Sequence, residues 1–434
     1  MTTPTSPDLP TGETGRMIVV LDRAAAPPGD VLRRFGVQSV HAADVGPNGH
    51  LAIPAGGAVV LDALGVAIVE NSPEILFEAA ADPGTPVMTA EPEVYVHAYT
   101  GGNDLEEDED WAPTWDATQE AARSDGYRDE DADAMAALGW SDTDLATWGL
   151  LATQAYPPAL RRTPWSGRGI RVAVLDTGID TSHPDFAGRI ELTRSFIVGE
   201  SAKDGNGHGT HVAGTIGAVR TPAGGKRRFS VAPNSRLLIG KVLSNAGSGT
   251  SGGVLEGMNW AIEQGADVIS MSLGSDTRVG ESYLRYYEAA GKAALDSDSI
   301  IIAAAGNNGD NPVGSPANCP SVMAVAAVDG FLRRASFSSI GLNPGGGEVN
   351  VSGPGVGVYS SWPVSLGSYR VLNGTSMATP HVAGLAALHA QATGKRGRAL
   401  WAALTASVAP LAAAEKFVGR GLVLAPTRGP GVAS

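Results

Sequence analysis

At 434 residues the chain is longer than one typical domain, and its 43% hydrophobic and 18% charged residues mark it as globular. A formal net charge of −14 argues against nucleic acid or an anionic membrane as the main partner. The single cysteine, Cys319, rules out an intrachain disulfide and a cysteine-based zinc site, and leans weakly towards a reducing compartment.

Residues 1–16 (MTTPTSPDLPTGETGR) read as a polar, disordered tail. They have neither the basic start nor the apolar core of a signal peptide. As written, the chain is expected in the cytoplasm, with non-classical export or a mis-assigned start as the alternative. Apolar runs such as Ile300–Ala305 are too short to span a membrane.

Residues 17–99 read as a small α+β domain. Met17–Leu21 is a predicted strand and Asp30–Phe35 a short helix. Ala58–Leu61 and Val66–Glu70 are two further elements, one expected to be helical. Ser72 and Pro73 suit the cap and first position of a helix running to Glu78. Glu93–Tyr99 alternates and closes the unit as a strand.

Residues 100–145 break the pattern. Between Asp104 and Asp133, thirteen acidic residues face two arginines, a local balance of −11. A solvated, self-repelling linker is one reading. Trp111, Trp115 and Trp140 keep a second one open, a regulatory or partner-binding insert.

From residue 146 to 434, short apolar runs alternate with helical patterns. Gly169–Leu175, Leu237–Val242, Val268–Met271, Ile300–Ala305 and Val322–Val328 are predicted strands. His208–Ala218, Gly253–Gln264 and Glu288–Leu295 are predicted helices. This alternation predicts an α/β fold with a mostly parallel sheet between two helical layers, its sites at the carboxyl ends of the strands.

Three motifs stand at such places. Asp176-Thr177-Gly178-Ile179-Asp180 follows a strand, where a carboxylate can orient a histidine; a lone Asp there is ordinarily a turn or cap residue. His208 opens a helix in Gly207-His208-Gly209-Thr210-His211-Val212-Ala213-Gly214. His208 and His211 lack the acidic partner of an HExxH metal site. Ser376 opens another helix in Gly374-Thr375-Ser376-Met377-Ala378-Thr379-Pro380-His381. There it suits an N-cap, or a nucleophile favoured by the helix dipole.

Taken together, AVLDTGID, HGTHVAG and GTSMATPHVAG resemble the three signatures of the subtilisin-like serine proteases (subtilases, peptidase S8), in the order Asp, His, Ser. The likeness covers roughly residues 146–425. It implies the subtilisin-like three-layer fold and a serine endopeptidase acting through an acyl-enzyme. Asp176, His208 and Ser376 would be the catalytic residues and Asn307 the oxyanion-hole side chain. Gly247, Ser248 and Gly249, with Ser272, Leu273 and Gly274, match the two segments that flank an extended polypeptide substrate. Ala304, Ala305 and Gly306 would wall the primary pocket, and Gly314 lies near its floor. Small residues there imply a preference for large apolar or aromatic residues before the cleaved bond (P1).

No cofactor is required for this chemistry. The resemblance brings a structural calcium site, for which Asp185 in His183-Pro184-Asp185-Phe186 is at most the matching ligand; a turn or cap role is the alternative. The matching loop, Val219–Arg228, is basic and has no Asn or Asp, so a strong site is not expected. Cys319 aligns near the pocket wall and reads as a small apolar filler. More loosely, residues 17–99 resemble the ferredoxin-like inhibitory propeptide of the family. The chain's own N-terminal domain would then be an intramolecular inhibitor and folding template, with self-cleavage near Tyr99–Thr100. A monomer is expected.

Overall fold

The computed structural model describes residues 10–44, 53, 55–71, 74–99, 139–156, 164–223 and 226–427. The acidic stretch Asp104–Asp133, with Trp111 and Trp115, lies outside the described residues, as do Ser72 and Pro73.

The N-terminal part consists of β1 (Glu13–Leu21), α1 (Pro28–Arg34), β2 (Ser39–His41), β3 (Ala58–Leu61), β4 (Val66–Val69), α2 (Glu74–Ala81) and β5 (Val87–Ala98). The strands lie in the order β5-β1-β4-β3-β2, with β1 antiparallel to both neighbours. Alternation decides its two faces. Met17, Val19 and Leu21 pack with Val31 and Leu32 of α1 and Leu76 of α2. Ile18 and Val20 face the other way, into the core of the larger part of the molecule.

The larger part opens with α3 (Trp148–Ala152), β6 (Arg171–Asp176), β7 (Ile190–Ser195), α4 (His208–Gly217), β8 (Arg236–Lys241), β9 (Ser248–Thr250) and α5 (Ser251–Glu263). It continues with β10 (Val268–Met271), β11 (Leu273–Gly274), α6 (Arg285–Asp296), β12 (Ile300–Ala304), β13 (Met323–Val328), β14 (Val351–Pro354), β15 (Val358–Ser361) and β16 (Tyr369–Leu372). It ends with α7 (Thr375–Thr393), α8 (Gly397–Ala406), β17 (Val408–Ala409), α9 (Glu415–Val418) and β18 (Leu422–Val423). Nine strands form one sheet in the order β17-β18-β14-β13-β12-β10-β6-β8-β7. All its pairings are parallel except β17 with β18.

Helices cover both faces, which is why the central strands read as unbroken apolar runs. Val172 and Val174 of β6 pack towards α4 and α7, against Val212, Ile216 and Val382. Ala173 and Leu175 pack towards α5 and α6, against Leu255, Met258 and Tyr287. The N-terminal sheet lays Ile18, Val20, Val59, Leu61 and Ile68 on that same side. The fold is thus the α/β three-layer arrangement that the alternation predicts.

Several expectations need correction. Both Ala58–Leu61 and Val66–Val69 are strands, joined as an antiparallel pair and buried along their whole length. Neither is helical, because short apolar runs carry no periodicity and pairing decides. The first strand starts at Glu13, inside the expected tail, because Glu13 pairs with Val94 and Gly12 O accepts the Tyr95 N–H. Trp140 belongs to the larger part, where it packs with Trp148, Val328 and Val418; its backbone N–H donates to Gly330 O at 2.6 Å.

Candidate active site

The site lies at the carboxyl ends of β6, β10 and β12, beside the N-termini of α4 and α7. Asp176 is the last residue of β6 and is fully buried. Its Oδ1 accepts the Thr177 N–H at 2.7 Å and the His208 Nδ1–H at 2.8 Å. A carboxylate only accepts, so this contact fixes the imidazole tautomer with its proton on Nδ1. The other nitrogen, Nε2, is left able to accept a proton and has no hydrogen-bond partner among the described residues. Burial alone would push the His208 imidazole down. The charge of Asp176 and its hydrogen bond, with Asp204 adding, outweigh burial and hold it above its usual value.

Ser376 is the second residue of α7 and is fully buried. Its hydroxyl donates to Ser272 O at 3.1 Å, and the Ser272 hydroxyl donates back to Ser376 O at 2.9 Å. The structure therefore brings Asp176 and His208 into direct contact and holds the Ser376 hydroxyl on the Ser272 carbonyl, between β10 and β11. Asn307, just beyond β12, is fixed in orientation by Thr375. Its Oδ1 accepts the Thr375 N–H at 2.9 Å and the Thr375 hydroxyl at 2.8 Å. Its Nδ2 consequently points away, and donates to Tyr99 O at 3.0 Å.

That last contact is made to the chain's own N-terminal part. The end of β5 lies antiparallel between β9 and β11. Val96 and His97 pair with Gly249 and Ser248 on one side, and His97 and Ala98 with Gly274 and Leu273 on the other. The Ala98 N–H donates to Gly247 O at 3.0 Å, and the Tyr99 N–H to Ser272 O at 3.4 Å. All six residues expected to flank a substrate thus line this strand.

The Tyr99 ring enters a slot beyond them, and its hydroxyl donates to Ser275 O at 3.0 Å. A Cβ added to Gly314 would lie 2.1 Å from that hydroxyl oxygen, and one on Gly274 2.6 Å from it. Only glycine leaves room for the ring at either position. Gly306 stands further off, 3.6 Å from the ring by the same measure. Ala304 and Ala305 are fully buried beside Gly306, and Ala305 packs in the core with Met271 and Leu273. Cys319 is buried in the same core, and burial pushes its thiol up, so it fills space as an inert apolar group.

The calcium expectation can be judged by its donors. Asp185 Oδ1 accepts the Ala223 N–H at 2.8 Å and Oδ2 the Tyr369 hydroxyl at 3.0 Å. Both oxygens are thus turned to donors of the protein. Among the described residues no group of three or more His, Cys, Asp or Glu could hold a metal ion. A hard cation would need such oxygens as ligands, and the Asp185 carboxylate is already engaged by protein donors.

Two contributors escape the sequence reading. Thr375 orients Asn307, and Asp204 ties the His208 helix to the Asp176 loop. The first sits inside a recognised motif without a role of its own. The second is a lone Asp in a polar turn, and its only signal is its place just ahead of a helix.

A buried carboxylate–imidazole pair and a serine at a helix start are the side-chain set of a serine hydrolase. The sequence profile described as Peptidase_S8, Subtilase family, matches residues 167–415, and the chain belongs to that family. Subtilisin DY of Bacillus licheniformis is 46% identical over 229 residues, covering 52% of this chain and 77% of the relative. Subtilisin of Bacillus pumilus is 44% identical over 242 residues, covering 54% and 82% respectively. Subtilisin E of Bacillus subtilis (strain 168) is 43% identical over 242 residues, covering 54% and 59%. The protein is a serine endopeptidase and acts on polypeptides. Among the described residues no helix is long and apolar enough to cross a membrane.

Proposed function

We propose that the chain is a self-inhibited serine endopeptidase in which Asp176, His208 and Ser376 perform acyl transfer and residues 17–99 hold the cleft shut. The observation that carries this reading is the Tyr99 carbonyl on Asn307 Nδ2 at 3.0 Å, with the preceding strand paired on both sides like a peptide substrate.

In the reaction, rotation of the Ser376 side chain carries its hydroxyl from Ser272 O to His208 Nε2. Ser376 Oγ attacks the peptide carbonyl carbon while His208 takes its proton. Asp176 holds the tautomer and balances the imidazolium. Charge develops on the carbonyl oxygen and is stabilised by Asn307 Nδ2–H and the Ser376 N–H. The protonated His208 then gives its proton to the leaving amine, the C–N bond breaks, and water repeats the sequence on the ester.

With Tyr99 as the residue before the scissile bond, the self-cleavage site is Tyr99–Thr100. The slot that takes the Tyr99 ring favours large apolar or aromatic P1 residues in other substrates. Mass spectrometry of purified wild type beside Ser376→Ala tests the reading. Wild type is expected to yield a fragment starting at Thr100 and Ser376→Ala only the intact chain. Cleavage at that bond in purified Ser376→Ala would refute self-processing. On a chromogenic peptide panel, fastest turnover of P1 Arg or Asp would overturn the specificity.

A further inference from the structure

Asp204 lies in the turn between β7 and α4, only 2% exposed, and its carboxylate collects five donors. Oδ1 accepts the Thr177 hydroxyl at 2.9 Å, the Asn206 N–H at 3.0 Å and the Gly207 N–H at 2.8 Å. Oδ2 accepts the Thr210 N–H at 2.9 Å and its hydroxyl at 2.6 Å. The N-cap of α4 is Gly207, which has no side chain to satisfy the first-turn N–H groups. Asp204 supplies that missing cap from outside the helix.

A cap by itself stabilises a helix and does nothing more. Here the same carboxylate also holds Thr177, the residue after Asp176. The Thr177 hydroxyl in turn accepts the Gly209 N–H at 2.8 Å, next to His208. The Thr210 hydroxyl accepts the Asp180 N–H at 3.1 Å, further along the Asp176 loop. A closed ring of hydrogen bonds therefore joins the loop that carries the acid to the helix turn that carries the base, with Asp204 at its centre.

We infer that Asp204 is a positioning residue for the peptidase reaction: it fixes the distance and angle at which the Asp176 carboxylate meets the His208 imidazole. It does not touch substrate. Its charge adds to that of Asp176 at the imidazole. Other ionisable groups around this junction are Asp180 on the same loop, whose carboxylate accepts from Ser182 and the Val364 N–H, His211, one turn along the helix and kept neutral by burial, and Lys241 on β8. Lys241 donates to Thr177 O and is paired with Glu200 at 3.2 Å. His381 lies beyond His211 and is also kept neutral by burial.

The inference rests on His208 being the general base. His208→Ala with undiminished turnover would remove that reading, and this one with it. The direct test is Asp204→Asn, nearly isosteric but able to accept at only one atom. It should lower kcat by about 10- to 100-fold with KM changed less than about twofold, as expected when a base is misplaced by a fraction of an ångström. The acid limb of kcat/KM should also move to lower pH, because a charge that raises the imidazole is removed. Thr177→Val, which removes the hydroxyl shared by Asp204 and the Gly209 N–H but leaves Asp204 on the helix N–H groups, should reproduce the kcat loss, and Thr177→Ser should restore it. Where Asp204→Asn yields too little active enzyme, the His208 imidazole is titrated by NMR in the intact Ser376→Ala chain with and without Asp204→Asn. An unmoved His208 titration, or wild-type kcat and pH limb in folded Asp204→Asn, would overturn the assignment.

Discussion

At the scale of single residues, the decisive contest is at His208. The side chains of His208 and Asp176 are each 1% exposed, so neither can lean on water for its charge. Burial disfavours the imidazolium, yet the Asp176 carboxylate 2.8 Å away favours it more, and the net effect lifts His208 above its ordinary value near 6.5. The signs follow directly. As a base the imidazole must be neutral, so kcat/KM should rise with pH through an acid limb lying above pH 6.5. Stability moves the opposite way. A raised folded-state value means that the charged form contributes most below the unfolded value, and that this contribution is lost as pH rises through the folded one. Asp176→Asn removes the outweighing charge and allows the wrong tautomer. The acid limb should fall below its wild-type position, and kcat should drop on the order of 10⁴-fold, the scale of such a loss in related sites. A pH–rate profile of the two proteins measures both, and an acid limb that stays in place would show that Asp176 does not set the imidazole.

At the scale of elements, we propose that one junction does by protein contacts what a bound ion would otherwise do at Asp185. Asp185 joins the loop at Ala223 to β16 through the Tyr369 hydroxyl, and Tyr369 stacks on Tyr359 of β15 at 5.4 Å. Burial and the neighbouring Asp185 charge raise the Tyr369 hydroxyl, so it stays protonated and donating. Further along the same loop, Arg227 pairs with Asp142 at 3.0 Å, and the Arg228 guanidinium donates to Ser230 O and Val231 O. Protein donors and arginines thus occupy the neighbourhood where a hard cation would need oxygen ligands. EDTA is therefore expected to leave the melting temperature unchanged within about 1 °C, a shift worth only a few tenths of a kcal/mol. Tyr369→Phe should cost about 1–3 kcal/mol, because it strands a buried carboxylate oxygen without its donor. Calorimetry with and without chelator reads both effects. A large EDTA-induced drop reversed by calcium would sink the idea of a metal-free junction.

At the scale of the whole molecule, legibility follows how locally each feature is determined. The residues proposed as acid, base and nucleophile are legible because each sits in a short motif whose side chains suit the chemistry themselves. The parallel sheet was readable because both of its faces are covered and its strands are apolar throughout. The N-terminal arm was not, because Glu13–Arg16 are polar and become strand only by pairing with β5. That pairing bears on the proposed inhibition. Arg16 donates to Glu93 through Nε at 2.7 Å and Nη2 at 2.5 Å, and reaches the Thr250 hydroxyl at 3.3 Å across the interface. Glu93 is fully buried, and also accepts the Gly252 N–H at 3.1 Å at the start of α5. The arm therefore fastens the N-terminal sheet to the helix it packs on, close to where β5 enters the cleft. Arg16→Ala would leave the Glu93 carboxylate buried with its counter-charge gone. Since Arg16 itself is one-third exposed, the cost is about 1–3 kcal/mol, below that of a fully buried pair. That cost should fall on the docking of β5, so that local opening of the cleft becomes ~10- to 100-fold more frequent. Hydrogen exchange on the intact Ser376→Ala chain, with and without Arg16→Ala, measures this at the Ala98 amide, which is held by Gly247 O. Faster exchange there, with the amides of β10 and β12 unchanged, is the expected result. Equal protection of Ala98 in both proteins would mean that the arm decorates β5 without holding it in place.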